Sequence, residues 1–201
     1  MGETNALDAP GMDMTDGQTI LVVDDERDIA DLYTTWLEMD HEVRTAYGGE
    51  DALDAVDADV DIVFLDRQMP DYSGDEVLER IRDQGLDCRV VMVTAVDPDF
   101  DIVDMGFDDY LTKPVMREDL DDAVETMRER DGYDDAMQEY FALTSKKATL
   151  EAEKTPSELQ ENDEYQRMVD RVDELEEEAD TAVSSFDDDF DSLFQEFPGG
   201  E

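Results

Sequence analysis

The sequence predicts an α/β fold: a doubly wound parallel sheet followed by an α-helical hairpin or coiled coil. Three observations predict it. Five short apolar runs alternate with segments of helical period between Gln18 and Arg130. Three of those runs are nearly continuous in β-branched and aliphatic residues, as strands covered on both faces are. Beyond Arg130 the pattern turns purely helical.

The strands are predicted at 19–23, 42–46, 61–65, 89–93 and 107–111. Between them Ile29, Leu32, Tyr33 and Trp36 repeat at helical spacing, and so do Ala52, Leu53 and Val56. Val77, Leu78 and Ile81 mark a third helix, and Leu120, Ala123, Val124 and Met127 a fifth. A fourth, near 98–104, is poorly amphipathic but opens on Asp97-Pro98, a good cap and first-turn pair. Five strands alternating with helices imply a three-layer sandwich with right-handed crossovers. In the second part, Tyr133, Met137, Tyr140, Phe141, Thr144 and Ala148 follow one helical stripe. Thr155-Pro156-Ser157-Glu158 matches a capping box with proline at the first helical position. Tyr165, Met168, Val172, Leu175, Ala179, Ala182 and Phe186 then step by three and four residues, a heptad seam. That seam suits a two-helix core or a dimerising coiled coil equally. The expected organisation is a disordered N-terminus over 1–17, an α/β domain over 18–130, a helical hairpin over 131–185 and an acidic, aromatic tail over 186–201, also read as disordered.

The 201 residues carry 38 Asp and 22 Glu against 11 Arg and 4 Lys, a formal net charge of −45. Such charge alone suggests disorder, yet 40% of the residues are hydrophobic and strongly periodic. We read a folded protein whose surface suits a salt-saturated cytoplasm, where at ~1 M salt the Debye length is about 3 Å. Cys88 is the only cysteine, which excludes an internal disulfide and a cysteine-based metal cluster. His41, the only histidine, lies in a polar turn and is read as surface. No apolar run approaches ~18 residues and no signal-peptide pattern is present, so a cytoplasmic protein without membrane contact is expected.

The chemistry concentrates where the strands end. Asp24 and Asp25 close the first apolar run and Asp66 the third, Thr94 follows the fourth, and Lys113 follows the fifth. Ligands of open α/β sheets bind outside the carboxyl ends of the strands. Three carboxylates gathered there cannot all stay ionised without a cation. A divalent metal beside an aspartate that accepts a phosphoryl group is the economical answer. Lys113 is the only lysine between residues 18 and 130.

Residues 18–130 resemble a response-regulator receiver (CheY-like) domain through LVVDDERDIADLY, VFLDRQMPDYSG, VVMVTA and DDYLTKP, in that order. The resemblance implies a flavodoxin-like (βα)5 sheet of strand order 2-1-3-4-5 and phosphorylation of Asp66 by a histidine kinase, with Mg²⁺ required. It implies that Asp24, Asp25, Asp66 and the backbone carbonyl of Gln68 hold the Mg²⁺. Lys113 would neutralise a phosphoryl oxygen, Thr94 would be the switch hydroxyl and Tyr110 the aromatic switch. Arg67 departs from the family pattern, and its role is open. Residues 131–185 resemble the HalX domain of halophilic archaea through YDDAMQEYFALTSKKATLEAEK.

A phosphoacceptor that catalyses its own transfer and dephosphorylation, rather than an enzyme with a separate substrate, is therefore expected. A haloacid-dehalogenase-type phosphatase would need an acid two residues beyond the phosphorylated aspartate, where Gln68 stands. For the output, protein–protein interaction with the transcription machinery competes with direct DNA binding, and a homodimer is open. Residues 131–201 hold 23 acids and 5 bases, with Lys146-Lys147 the only paired cations, which disfavours a phosphate-binding surface.

Overall fold

A computed structural model describes residues 17–130 and 135–176. The predicted disordered segment to residue 16, the junction at 131, Tyr133, the end of the heptad seam from Ala179 and the tail at 186–201 all lie outside the described residues.

The strands are β1 (Thr19–Val23), β2 (Glu42–Ala46), β3 (Ile62–Leu65), β4 (Arg89–Thr94) and β5 (Asp109–Thr112). They pair in parallel in the order β2-β1-β3-β4-β5, the doubly wound flavodoxin-like order. The helices are α1 (Arg27–Leu37), α2 (Gly49–Ala55), α3 (Gly74–Asp83) and α4 (Arg117–Glu129). The pleat divides the interior in two. Ile20, Val22, Ile62, Phe64, Val91 and Val93 face α1 and α4. Leu21, Val23, Val63, Leu65, Val90 and Met92 face α2 and α3. β1, β3 and β4 bury both faces, which is why their sequences read as unbroken apolar runs.

The weakly amphipathic fourth helix is instead a 3₁₀ turn, Phe100–Asp104. Its cap is Asp99, two residues beyond the predicted Asp97, and the Asp99 side chain accepts the Phe100 N–H at 2.9 Å. With only Ile102 buried, the segment has too small an apolar stripe to hold a full helix against the sheet.

The second part packs as an antiparallel hairpin. Its first helix, α5 (Asp135–Glu153), runs along β5 and the 3₁₀ turn. The capping box forms as predicted: Thr155 Oγ1 accepts the Glu158 N–H at 3.4 Å and Glu158 Oε2 accepts the Thr155 N–H at 2.9 Å. The single helix expected after it is two, α6 (Pro156–Glu161) and α7 over 163–176. Asn162 breaks them, and its Oδ1 caps the new helix by accepting the Tyr165 N–H at 2.8 Å. Tyr165, Met168, Val172 and Leu175 of the heptad seam are buried, Tyr165 and Met168 in the cluster that also holds Leu21 and Met92 of the sheet. The predicted α5 stripe is only partly observed: Thr144 and Ala148 are exposed, while Lys146 and Leu150 are buried. α5 has two partners to cover, the receiver-like sheet and α7, so its inward surface is broader and rotated from a simple stripe. Among the described residues no helix is long and apolar enough to cross a membrane.

Candidate functional site

The register of the sheet assembles the site. Val23 of β1 pairs with Leu65 of β3, so the next residues, Asp24 and Asp66, emerge side by side. The ladder continues past the strand ends, with the Asp66 N–H donating to Val23 O at 2.9 Å and the Lys113 N–H to Thr94 O at 2.8 Å. Asp24, Asp66 and Thr94 are all buried, at 2%, 5% and 0% exposure.

Lys113 Nζ reaches both buried carboxylates, 2.6 Å from Asp24 Oδ2 and 2.8 Å from Asp66 Oδ2. Burial works against the ammonium, but its bonds to Asp24 and Asp66 outweigh that and hold it above its usual range. For Asp24 burial is the stronger influence, and the carboxyl is raised despite Lys113. The other oxygens are held by backbone: Asp24 Oδ1 accepts the Glu26 N–H at 2.9 Å and Asp66 Oδ1 the Gln68 N–H at 3.2 Å.

Asp24, Asp25 and Asp66 each place one carboxylate oxygen within 4.8 Å of the others. Three hard oxygens against a single ammonium leave an excess of negative charge, and this donor set fits Mg²⁺. Gln68 lies in the same loop, with its N–H turned to Asp66. Thr94 Oγ1 accepts the Val96 N–H at 3.3 Å. Tyr110 points inward, 6% exposed, and its hydroxyl donates to Val96 O at 2.7 Å.

Two residues that sequence reasoning left without a role stand next to Asp66. Arg67 reaches away from the acidic edge, donating to Asp75 through Nε at 3.0 Å and Nη2 at 3.1 Å, and also bonding Asp101 of the 3₁₀ turn. Burial alone would lower this guanidinium; the bonds to Asp75 and Asp101 raise it instead. Gly74 lies against the backbone of Asp66 and Arg67, where a Cβ would come 2.8 Å from Arg67 Cα and 3.0 Å from Asp66 C. Its place directly after Ser73, inside the Ser73–Glu76 capping box that opens α3, was the available signal.

The sheet order and the acidic edge facing one lysine define a flavodoxin-like α/β domain with a carboxylate pocket at the ends of its strands. Residues 20–125 match the response regulator receiver domain, so the chain belongs to that family, and residues 129–194 match the HalX domain. The chain is 45% identical over 177 residues to a Haloferax volcanii protein named "Putative transcriptional regulator", covering 88% of this chain and 30% of that protein. It is 35% identical over 105 residues to response regulator SaeR of Staphylococcus epidermidis, 50% of this chain and 46% of that one. It thus spans less than half the length of these curated relatives. Among solved structures, the BeF3-activated DrrB receiver domain is 33% identical with a TM-score of 0.53, over 57% of this chain and 99% of that one. A CheY-like receiver from Methanospirillum hungatei is 26% identical with a TM-score of 0.51, over 57% and 97%.

Proposed function

We propose that this chain is the phosphoacceptor of a two-component phosphorelay, taking a phosphoryl group from a histidine kinase onto Asp66. The observation that carries this reading is a buried Asp66 carboxylate flanked by two further aspartates and bonded to Lys113. An Asp66 Oδ lone pair attacks phosphorus, and the P–N bond of the phosphohistidine breaks with its electrons returning to the imidazole. Little covalent help is needed; positioning and charge neutralisation carry such transfers. Asp24, Asp25, Asp66 and the Gln68 carbonyl are the groups that would hold Mg²⁺, whose charge offsets that of the transferring group. Lys113 turns from Asp66 to a phosphoryl oxygen, and Thr94 donates its hydroxyl to another. Attack of water on the acyl phosphate later returns Asp66 and inorganic phosphate, so the chain catalyses its own reactions without being an enzyme for another substrate.

The signal leaves through the helical hairpin to a protein partner of the transcription machinery, in a salt-rich cytoplasm. Direct DNA binding is disfavoured further by Lys146, which is buried and so withdraws from the only paired cations of that region. A homodimer would use other faces than the seam residues Tyr165, Met168, Val172 and Leu175, which are already buried within one chain. The deciding experiment is phosphorylation by a cognate kinase or a small acyl phosphate: Asp66→Asn abolishes acid-labile phosphate incorporation. Labelling that persists in this variant moves the acceptor to another residue. Gel shift in molar KCl separates the two outputs, and a shifted band would favour DNA.

A further inference from the structure

Arg67 stands between Asp66 and Gln68, two of the residues that would hold Mg²⁺, yet its own side chain turns elsewhere. That side chain is only 11% exposed and engages two elements at once. Nε and Nη2 donate to the Asp75 carboxylate of α3, and Nη2 also bonds Asp101 of the 3₁₀ turn. A planar fork with both partners in place fixes the guanidinium in direction as well as in distance.

The main chain of the same residue is held too. Arg67 O accepts the Gly74 N–H at 2.9 Å, which closes the base of the loop 68–73. Gly74 packs so near that a Cβ there would come 2.8 Å from Arg67 Cα. The Gln68 N–H folds back to Asp66 Oδ1 at 3.2 Å. Asp71, within the loop, has a φ of 69°, a left-handed backbone that a residue with a Cβ seldom adopts unless its surroundings hold it. The loop therefore depends on a fixed base, and any rotation at Arg67 would swing the neighbouring Gln68 carbonyl with it.

Charge and position make opposite demands on Arg67. One guanidinium here faces two carboxylates, so removing it leaves the acidic edge more negative. As a charge alone, its loss would draw a divalent cation more tightly. As a clamp, its loss would free the backbone from Asp66 to Gln68 and weaken the cation's hold. In ~1 M salt, charges more than about 3 Å apart at the surface are largely screened, which leaves position as the larger effect.

We propose that Arg67 is a positioning residue of the acidic pocket: by tying α3 to the 3₁₀ turn it fixes the backbone from Asp66 to Gln68, so that the oxygens for Mg²⁺ stand ready before the ion arrives. The inference rests on Asp66 as acceptor in a Mg²⁺-binding pocket.

The test reads Mg²⁺ affinity by titration calorimetry of the full chain in molar KCl, and amide exchange over 66–74 without divalent cations. Arg67→Ala removes both charge and fork, whereas Arg67→Lys keeps the charge and loses the fork. Both should bind Mg²⁺ more weakly, Arg67→Ala by about 10-fold or more, and both should exchange faster over the loop. Tighter binding by Arg67→Ala, or unchanged binding by Arg67→Lys, overturns the positioning role and leaves Arg67 a charge or a surface tie. Urea midpoints distinguish a loosened pocket from a lost fold, and Arg67→Lys carries the test if Arg67→Ala does not fold. If the wild type neither binds Mg²⁺ nor takes up phosphate, the acceptor reading itself falls, whatever the variants do.

Discussion

Lys113 Nζ and Asp24 Oδ2 lie 2.6 Å apart although 89 residues separate them in the chain. The contact closes the site across β1, β3, β4 and β5, and it sets how the acidic edge responds to change.

Lys113→Met leaves Asp24 and Asp66 buried without their cation. Removing one partner of a buried pair costs about 3–5 kcal/mol. Urea unfolding without divalent cations should show a loss of that order, and Mg²⁺ should recover more stability in the variant than in the wild type. An unchanged midpoint would mean that the Lys113 contacts to Asp24 and Asp66 do not hold the folded chain.

Gly74→Ala places a methyl against backbone at Asp66 and Arg67, where no side chain can swing aside. Overpacking of this kind costs typically about 1–3 kcal/mol. Phosphate incorporation should fall with it, because the displaced atoms belong to the acceptor. Calorimetry together with labelling checks both; a variant that is stable and fully labelled would show that the turn can move freely.

Lys146 gives a pH dependence with a definite sign. Its folded value, about 8, lies below the ordinary 10.5, chiefly through burial, with Asp108 and Asp104 opposing. Between those values the unfolded chain binds more protons than the folded one, so stability rises with pH. Below about 8 the penalty is complete. Lys113 is raised, so its contribution stays intact up to 10.5 and is lost only above it. Urea midpoints at about pH 7.5 and about pH 10 should therefore rise more in the wild type than in Lys146→Met. Equal slopes would place Lys146 in water.

Removing salt should unfold the chain. A formal charge of −45 repels itself once the Debye length grows from about 3 Å at 1 M to about 30 Å at 0.01 M. Circular dichroism in dilute buffer should show lost structure, recovered by KCl; a fully folded signal without salt would remove the argument for salt adaptation.

The central strands were legible because burial on both faces leaves nothing but apolar residues to read, as in Ile20 to Val23 and Ile62 to Leu65. Asp24, Asp66 and Lys113 were legible because strand ends are marked in the sequence and parallel register brings them level. The β5 boundary slipped, since Phe107 is a buried residue that precedes the strand rather than part of it. Asn162 was missed because the heptad seam begins only at Tyr165, three residues beyond it, so no stripe residue marked the break after the capping box. Lys146 was read only as half of the Lys146-Lys147 pair. Its burial depends on carbonyls at Val103 and Met105, more than forty residues away, and no local pattern records such a contact. The chain's sparing use of lysine was the clue available.

Leu150, Tyr165 and Met168 of the hairpin belong to the same apolar cluster as Leu21, Val63 and Met92 of the sheet. Family boundaries divide the chain in two, but the hydrophobic interior does not. A fragment cut after α4 would lose the Lys146 ammonium that lies over the Phe107 ring and the Leu150, Tyr165 and Met168 side chains that complete the cluster. Grafting this hairpin onto a foreign receiver would likewise require transplanting the surface that greets it.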